Sequence, residues 1–348
     1  MMTEYIERPD PSTEEGQRGI ARAGEIIRRG GLVVFPTETV FGLGANALDD
    51  DAAAKIYRAK GRPADNPLIV HLSDPSEASR YCETTALFDK LAKRFMPGPL
   101  TVVLPAKPII PKTVTANLPT LALRCPSHPV AHALIAAAGV PIAAPSANLS
   151  GSPSPTTFAH VREDLDGRVD MILGGECEIG VESTIVRLDT PDEMTLLRPG
   201  GVTPEELGEF ARVSLSPAVL DKLKEGERVQ SPGMKYKHYA PKTPLYLLRG
   251  NRAERMCFLA GQKGRFAVLA YTYDVGFCRS LETSPVVFDL GEESNPAEQL
   301  HRLFYLLREA DKAGCERIYA ALPDTGGLSL ALYNRMIRAA AYQIISVK

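Results

Sequence analysis

Lys60-Gly61-Arg62 sets two cations around a glycine, and far downstream Ser146-Ala147-Asn148 sets a hydroxyl and an amide in a Gly/Pro/Ser-rich stretch. Charge combined with short hydrogen-bonding groups suits a site that holds phosphates without being itself the nucleophile. A guanidinium clamps an oxyanion in two parallel bonds, and an ammonium acts as a mobile point charge. Pro36-Thr37-Glu38-Thr39 runs into Gly42-Leu43-Gly44, placing hydroxyls at an expected strand end where a glycine-rich backbone can approach a ligand. The glycine spacing fits neither Gly-x4-Gly-Lys-[Ser/Thr] nor Gly-x-Gly-x-x-Gly. Gly-x-Ser-x-Gly is also missing, and no neighbouring histidine or acid marks Ser146 as an acylated nucleophile. Arg124 and Arg198 are further cation candidates. Each of these signals also has a plain structural reading: capping turns for Thr37–Thr39, helix C-terminal charges for Lys60 and Arg62, surface ion pairs for the other arginines. His128 and His132 lie four apart near an expected helix start but lack a third ligand, so no metal site is assigned.

These groups need elements to position them. Ile20, Ala23, Ile26 and Ile27 mark one face of a helix that stops at Gly30-Gly31, and Leu32–Phe35 follows as a buried strand. A helix from about Asp50 delivers Lys60 at its end. Strands are expected at Pro67–Leu72, Leu100–Leu104, Leu121–Arg124, Pro141–Ala144, Met171–Leu173, Thr184–Leu188 and Thr195–Leu197. Helices are expected at Leu87–Phe95 and Pro129–Ala138, with another capped by Thr203. A poorly patterned stretch from about Ser214 ends in Ser231-Pro232-Gly233-Met234-Lys235-Tyr236-Lys237-His238-Tyr239-Ala240-Pro241, too rich in rings and cations for a plain linker. It reads as a lid over an anionic ligand. Strands at Leu245–Leu248, Phe266–Ala270, Val286–Leu290 and Arg317–Ala321 then alternate with helices at Asn295–Ala313 and Ser329–Ala340. That pattern predicts a small, mostly parallel sheet.

The 348 residues allow two cores, and a net charge of −2 gives no global attraction to nucleic acid or membrane, so anion binding must be local. Six cysteines without a Cys-x-x-Cys pair argue against a zinc site and a disulfide framework, and fit reduced thiols in the cytoplasm. No apolar run reaches membrane-spanning length, and the polar N-terminus is not a signal peptide.

Taken together, Pro36–Gly44, Lys60-Gly61-Arg62, Ser146-Ala147-Asn148, Ser183-Thr184-Ile185-Val186 and Arg198-Pro199-Gly200 resemble the YrdC-type threonylcarbamoyl-AMP synthases. The Ser231–Pro241 segment and the C-terminal unit resemble the longer, two-domain Sua5 branch. One departure is Phe41, where many members carry Tyr. The resemblance implies an α/β fold, a YrdC-like twisted mixed sheet over 12–212, a lid over 213–242 and a small Rossmann-like domain over 243–348. It implies a nucleotidyltransferase that makes threonylcarbamoyl-adenylate and pyrophosphate from L-threonine, bicarbonate and ATP. The product would feed a downstream tRNA threonylcarbamoyl-transferase complex that modifies adenosine 37 of ANN-decoding tRNAs. Carried over by motif position, Thr37, His71, Arg124, Ser183 and Thr184 would hold threonine. Lys60, Arg62, Ser146, Asn148, Ser154, Arg198 and Tyr236 would hold ATP, and the first four of these would serve the chemistry. Mg²⁺ would accompany the nucleotide phosphates. The competing readings are an RNA-binding module, disfavoured by the lack of a basic stripe, and a carbamoyltransferase using carbamoyl phosphate.

Overall fold

Backbone pairing in the computed structural model, which describes residues 2–221 and 239–348, builds two sheets. They belong to two compact units, Met1–Ser150 with Ser154–Lys235, and Gly151–Pro153 with Tyr236–Lys348. In chain order the strands of the first unit are β1 (Glu4–Ile6), β2 (Val33–Phe35), β3 (Gly42–Asn46), β4 (Ile69–His71), β5 (Leu100–Pro105), β6 (Thr120–Arg124), β7 (Ile142–Ala144), β8 (Met171–Leu173), β9 (Thr184–Thr190), β10 (Glu193–Arg198) and β11 (Arg212–Leu215). They form one mixed sheet in the order β1-β8-β2-β3-β7-β4-β6-β5-β9-β10-β11. The mixture matters for the site: β4 and β6 run parallel, whereas β7 and β5 run against them on either side.

Four short strands of this sheet, β2, β4, β7 and β8, are buried along their whole length, as expected where apolar helices cover a sheet. Helix Glu14–Arg28 turns Ile20, Ala23 and Ile27 inward against Val130, Leu134 and Ala138 of helix Pro129–Ala138 and against Val33 and Met171. Helix Asp50–Lys60 starts on the Asp49 side chain, which accepts from Ala52 N–H, and stops at Gly61. The φ of +60° at Gly61 is a left-handed turn that glycine adopts without Cβ strain, and it fixes Lys60 as the last helical residue.

The glycine-rich stretch beyond the Thr37–Thr39 turn is a strand. Gly42-Leu43-Gly44 pairs antiparallel with β2 and continues as β3. Its glycines serve packing: a Cβ on Gly44 would come within 2.8 Å of both the Phe35 ring and Ile142.

In the second unit β12 (Leu245–Arg249), β13 (Phe266–Tyr271), β14 (Val286–Gly291), β15 (Arg317–Ala321) and β16 (Ile344–Ser346) form an all-parallel sheet, ordered β14-β13-β15-β12-β16. It is Rossmann-like in being open and parallel with helical crossovers, but β15 is inserted between β12 and β13. Its core gathers Leu248, Leu259, Phe266, Val268 and Tyr319.

Candidate active site

Cross-strand register brings the threonine-type residues together in the first unit. His71 stands opposite Arg124 in the β4–β6 pair, Arg124 opposite Thr101 in the β6–β5 pair, and Leu100 opposite Thr184 in the β5–β9 pair. Thr101 Oγ1 lies 2.7 Å from Ser183 Oγ, which in turn accepts a 3.1 Å bond from Arg198 Nη2. Arg198 Nε donates to the Ser183 carbonyl at 3.0 Å. His71, Arg124, Ser183 and Arg198 therefore lie side by side across β4, β6, β5, the start of β9 and the end of β10.

Glu38 joins this group. Its Oε1 lies 2.8 Å from Arg124 Nη2, with the two side chains only 4–5% exposed. The approach is too oblique for a hydrogen bond, so both Glu38 oxygens and Arg124 Nη2 lack hydrogen-bond partners among the described residues. Buried carboxylates and guanidiniums usually complete their bonds, because leaving them open costs several kcal/mol. This pair is compensated in charge but retains open valences of both signs, which is what a bound zwitterion would fill. Sequence reasoning singled out the Thr37-Glu38-Thr39 segment but assigned only Thr37; the signal for Glu38 was an acid embedded in an otherwise uncharged strand-to-turn run.

His71 is neutral here. Burial, reinforced by the Arg124 charge, pushes its pKa from 6.5 down to about 3. Its Nδ1 lies 3.2 Å from the Ile69 carbonyl, and its ring meets Phe35 edge to face at 6.1 Å. Since the unfolded imidazole takes up a proton below about pH 6.5 and the native one does not until about pH 3, stability must fall on acidification through that window. We expect His71 to cost roughly 2 kcal/mol between pH 7.5 and pH 5. In urea unfolding at the two pH values, a His71→Asn variant should lose less stability than the wild type by about that amount; equal losses would contradict the neutral assignment.

The second cluster forms around Lys60. Its Nζ makes short bonds to the carbonyl oxygens of Ser146 and Asn148 and lies 3.4 Å from Asn148 Oδ1. Ser146 Oγ donates to Asn148 Oδ1, and Ser150 N–H to the Lys60 carbonyl at 3.0 Å. A lysine only 4% exposed is thus tied into the loop after β7. That loop is tied in turn to the Thr37–Phe41 turn, since Ala147 N–H donates to the Phe41 carbonyl and Phe41 N–H to the Pro155 carbonyl. Ser154 Oγ donates to Glu182, a buried acid adjacent to Ser183 that the sequence reading did not name.

Three named residues have different surroundings. Thr37 Oγ1 donates to the Val40 carbonyl at 2.6 Å and accepts from the Thr39 and Val40 amides, so its hydroxyl shapes the turn. Thr184 Oγ1 donates to the Val202 carbonyl and accepts from the Val202 amide. Thr184→Val should accordingly cost about 1–3 kcal/mol in thermal or urea unfolding while KM for threonine stays within about twofold. Arg62 is half-buried, donates to the Asn66 carbonyl at 2.9 Å and lies over the Tyr57 ring at 5.6 Å. Tyr236 and Ser231–His238 lie outside the described residues. His128, considered above as a metal ligand, caps its helix by accepting from Val130 N–H at 3.2 Å.

Similarity to known proteins runs along the whole chain. Residues 25–200 match the Sua5/YciO/YrdC family model, described as telomere recombination, and residues 202–341 match the model for the C-terminal domain of threonylcarbamoyl-AMP synthase. The chain is 43% identical over 329 residues to a threonylcarbamoyl-AMP synthase of Pyrococcus abyssi, covering 93% of this chain and 95% of the relative. A Bacillus subtilis threonylcarbamoyl-AMP synthase is 43% identical over 342 residues, covering 96% of each. The crystal structure of P. abyssi Sua5 complexed with L-threonine superposes with a TM-score of 0.86 at 40% identity, covering 100% of both chains. With both family models and full-length relatives in agreement with the site just described, this chain belongs to the Sua5/YciO/YrdC family, in the branch that carries the Sua5 C-terminal domain.

Proposed function

We propose that the protein is a threonylcarbamoyl-AMP synthase, forming threonylcarbamoyl-adenylate and pyrophosphate from L-threonine, bicarbonate and ATP. The observation that carries this reading is the buried Arg124–Glu38 pair with its open hydrogen-bonding valences, set beside a neutral histidine. An amino acid presents a carboxylate and an ammonium, and one buried cation and one buried anion with unused bonding capacity match both ends. The full-length similarity to proteins named threonylcarbamoyl-AMP synthase supports the same assignment.

Arg124 takes the threonine carboxylate and Glu38 the ammonium, with Ser183 helping to line this end. The amine must lose a proton before it can attack bicarbonate carbon, and Glu38, which holds the ammonium, is placed to take it. Loss of water leaves the N-carboxylated threonine. A carbamate oxygen then attacks the α-phosphorus of ATP, the bond to the bridging oxygen breaks, and pyrophosphate leaves with the electron pair. Every species on this path is anionic, so catalysis is mostly charge neutralisation and alignment. Lys60 and Arg198 supply fixed positive charge, while Ser146, Asn148 and Ser154 offer short hydrogen-bonding groups to phosphate oxygens. Arg62 adds charge at the nucleotide's outer end. Mg²⁺ enters with ATP, ligated by phosphate and water; among the described residues no group of three or more His, Cys, Asp or Glu gathers to hold a metal ion.

The adenylate is an activated acyl donor, consumed by the complex that modifies adenosine 37 of ANN-decoding tRNAs. We place the protein in the cytoplasm, consistent with six free cysteines, and no helix among the described residues is long and apolar enough to cross a membrane. The product tests the reading. Mass spectrometry of a reaction with isotopically labelled bicarbonate should detect labelled threonylcarbamoyl-adenylate. Label entering only from carbamoyl phosphate would establish a carbamoyltransferase instead, and salt-sensitive RNA binding without turnover would establish an RNA-binding module.

A further inference from the structure

The second unit contains a cavity of about 270 Å³ that the synthase reaction does not use. It opens at the carboxyl ends of the parallel strands, with Arg249 at the end of β12, Tyr271 at the end of β13, Glu293 just after β14 and Asp324 just after β15. Ligands in open parallel sheets bind on this side, where crossovers diverge. Position alone would be weak, but the lining contains polar groups left open.

Tyr271 is 7% exposed, and its hydroxyl makes no hydrogen bond among the described residues. Burial and the nearby Glu293 push its pKa up to about 12, so it remains a donor at any ordinary pH. Gln299 is 1% exposed and spends its Nε2 on the carbonyls of Glu292 and Glu293, leaving Oε1 without a partner. The Arg255 side chain is 11% exposed, and its guanidinium makes one bond, to the Gly250 carbonyl at 3.0 Å. Its Nη2 stands 3.9 Å from Glu293, too far for a tight pair. These three groups keep hydrogen-bonding capacity open on the hollow, giving it donors and an acceptor that a polar ligand can use in place of water.

We propose that this cavity is a second binding site, separate from the threonine site, for an amino-acid-sized zwitterion. Charge decides against a polyphosphate: two guanidiniums, Arg249 and Arg255, face two carboxylates, Glu293 and Asp324, leaving no net charge. Size decides against a whole nucleotide, since the volume holds about nine waters and falls below the range for drug-sized ligands. Arg255 and the Tyr271 hydroxyl take the carboxylate. Gln299 Oε1 and Glu293 take the ammonium, and Leu248, Leu322 and Leu332 floor the remainder.

The test uses the full-length chain. Saturation-transfer NMR with the proteinogenic L-amino acids other than threonine and serine, and with AMP and inorganic phosphate as controls, identifies any binder, and calorimetry then measures it. At least one amino acid should bind with a Kd of about 1 mM or tighter. Tyr271→Phe, which keeps the ring and the packing, and Arg255→Gln should each weaken it by about tenfold. An Arg124→Gln/Glu38→Gln variant, altered only in the first unit, should bind it unchanged. The proposal is overturned if no amino acid binds the folded wild type, if AMP or phosphate alone binds in a Tyr271-dependent way, or if binding is lost in the Arg124→Gln/Glu38→Gln variant and untouched by Tyr271→Phe.

Discussion

Arg124→Gln should abolish threonine-dependent turnover and destabilise the first unit by roughly 3–5 kcal/mol, the usual consequence of stranding one member of a buried pair. Glu38 is 3% exposed, and neither of its oxygens is hydrogen-bonded among the described residues. Without the guanidinium its charge has no compensation, and it must take a proton or leave the interior. The prediction becomes sharper with the double variant. Arg124→Gln/Glu38→Gln removes both charges and should recover most of the lost stability in urea unfolding, because two neutral amides remain. Turnover should not recover, since the two groups proposed to hold the ends of threonine are gone. A single variant as stable and as active as the wild type would contradict the assignment. A double variant that regains turnover would reduce the pair to a structural role.

Lys60→Ala should lower kcat/KM by at least about 10²-fold, on the scale of deleting a fixed oxyanion-stabilising group. The side chain does two jobs at once. It bonds the carbonyl oxygens of Ser146 and Asn148 and so fixes the loop after β7, and in the proposed function it supplies positive charge to the nucleotide phosphates. Lys60→Arg should rescue poorly, because a planar guanidinium cannot occupy the point where three oxygens converge on one nitrogen. Ser146→Ala removes one hydroxyl that bonds Asn148 and should lower activity far less, by about tenfold. Steady-state kinetics on folded variants, with folding checked by circular dichroism, would decide. Near-normal kcat/KM in Lys60→Ala would remove Lys60 from the chemistry.

Much of this architecture is legible in the chain because local signals agree. Helix Pro129–Ala138 has proline in its first turn and glycine after its last residue, and its bounds are those expected. Thr203 and Glu206 form a capping box at the start of the expected helix. The parallel sheet of the second unit follows from strands alternating with long amphipathic helices. Illegible elements had conflicting or missing signals. β3 contains two glycines, ordinarily turn formers, and is a strand only because Phe35 from the neighbouring strand fills the space above them. β1, three residues at the sheet edge, is too short for any period to register. Helix Arg252–Ala260 buries only Leu259 completely, so its apolar face is weak.

The site divides along similar lines. Residue type and motif position identified Lys60, Ser146, Asn148, Arg124 and Arg198 as charge and hydrogen-bond carriers. What sequence could not express is pairing at long range: that Glu38 meets Arg124, that Ser154 meets Glu182, and that Lys60 is tied to the loop after β7. The hydroxyls of Thr37 and Thr184 bond their own backbone surroundings, a distinction invisible before the chain is folded.

Pyrophosphate release from ATP, with threonine and bicarbonate omitted in turn, tests the central claim most directly. The account predicts release only when both are present, with serine a poor substitute for threonine. Release that is indifferent to threonine, or none from folded protein with all three substrates supplied, would contradict it.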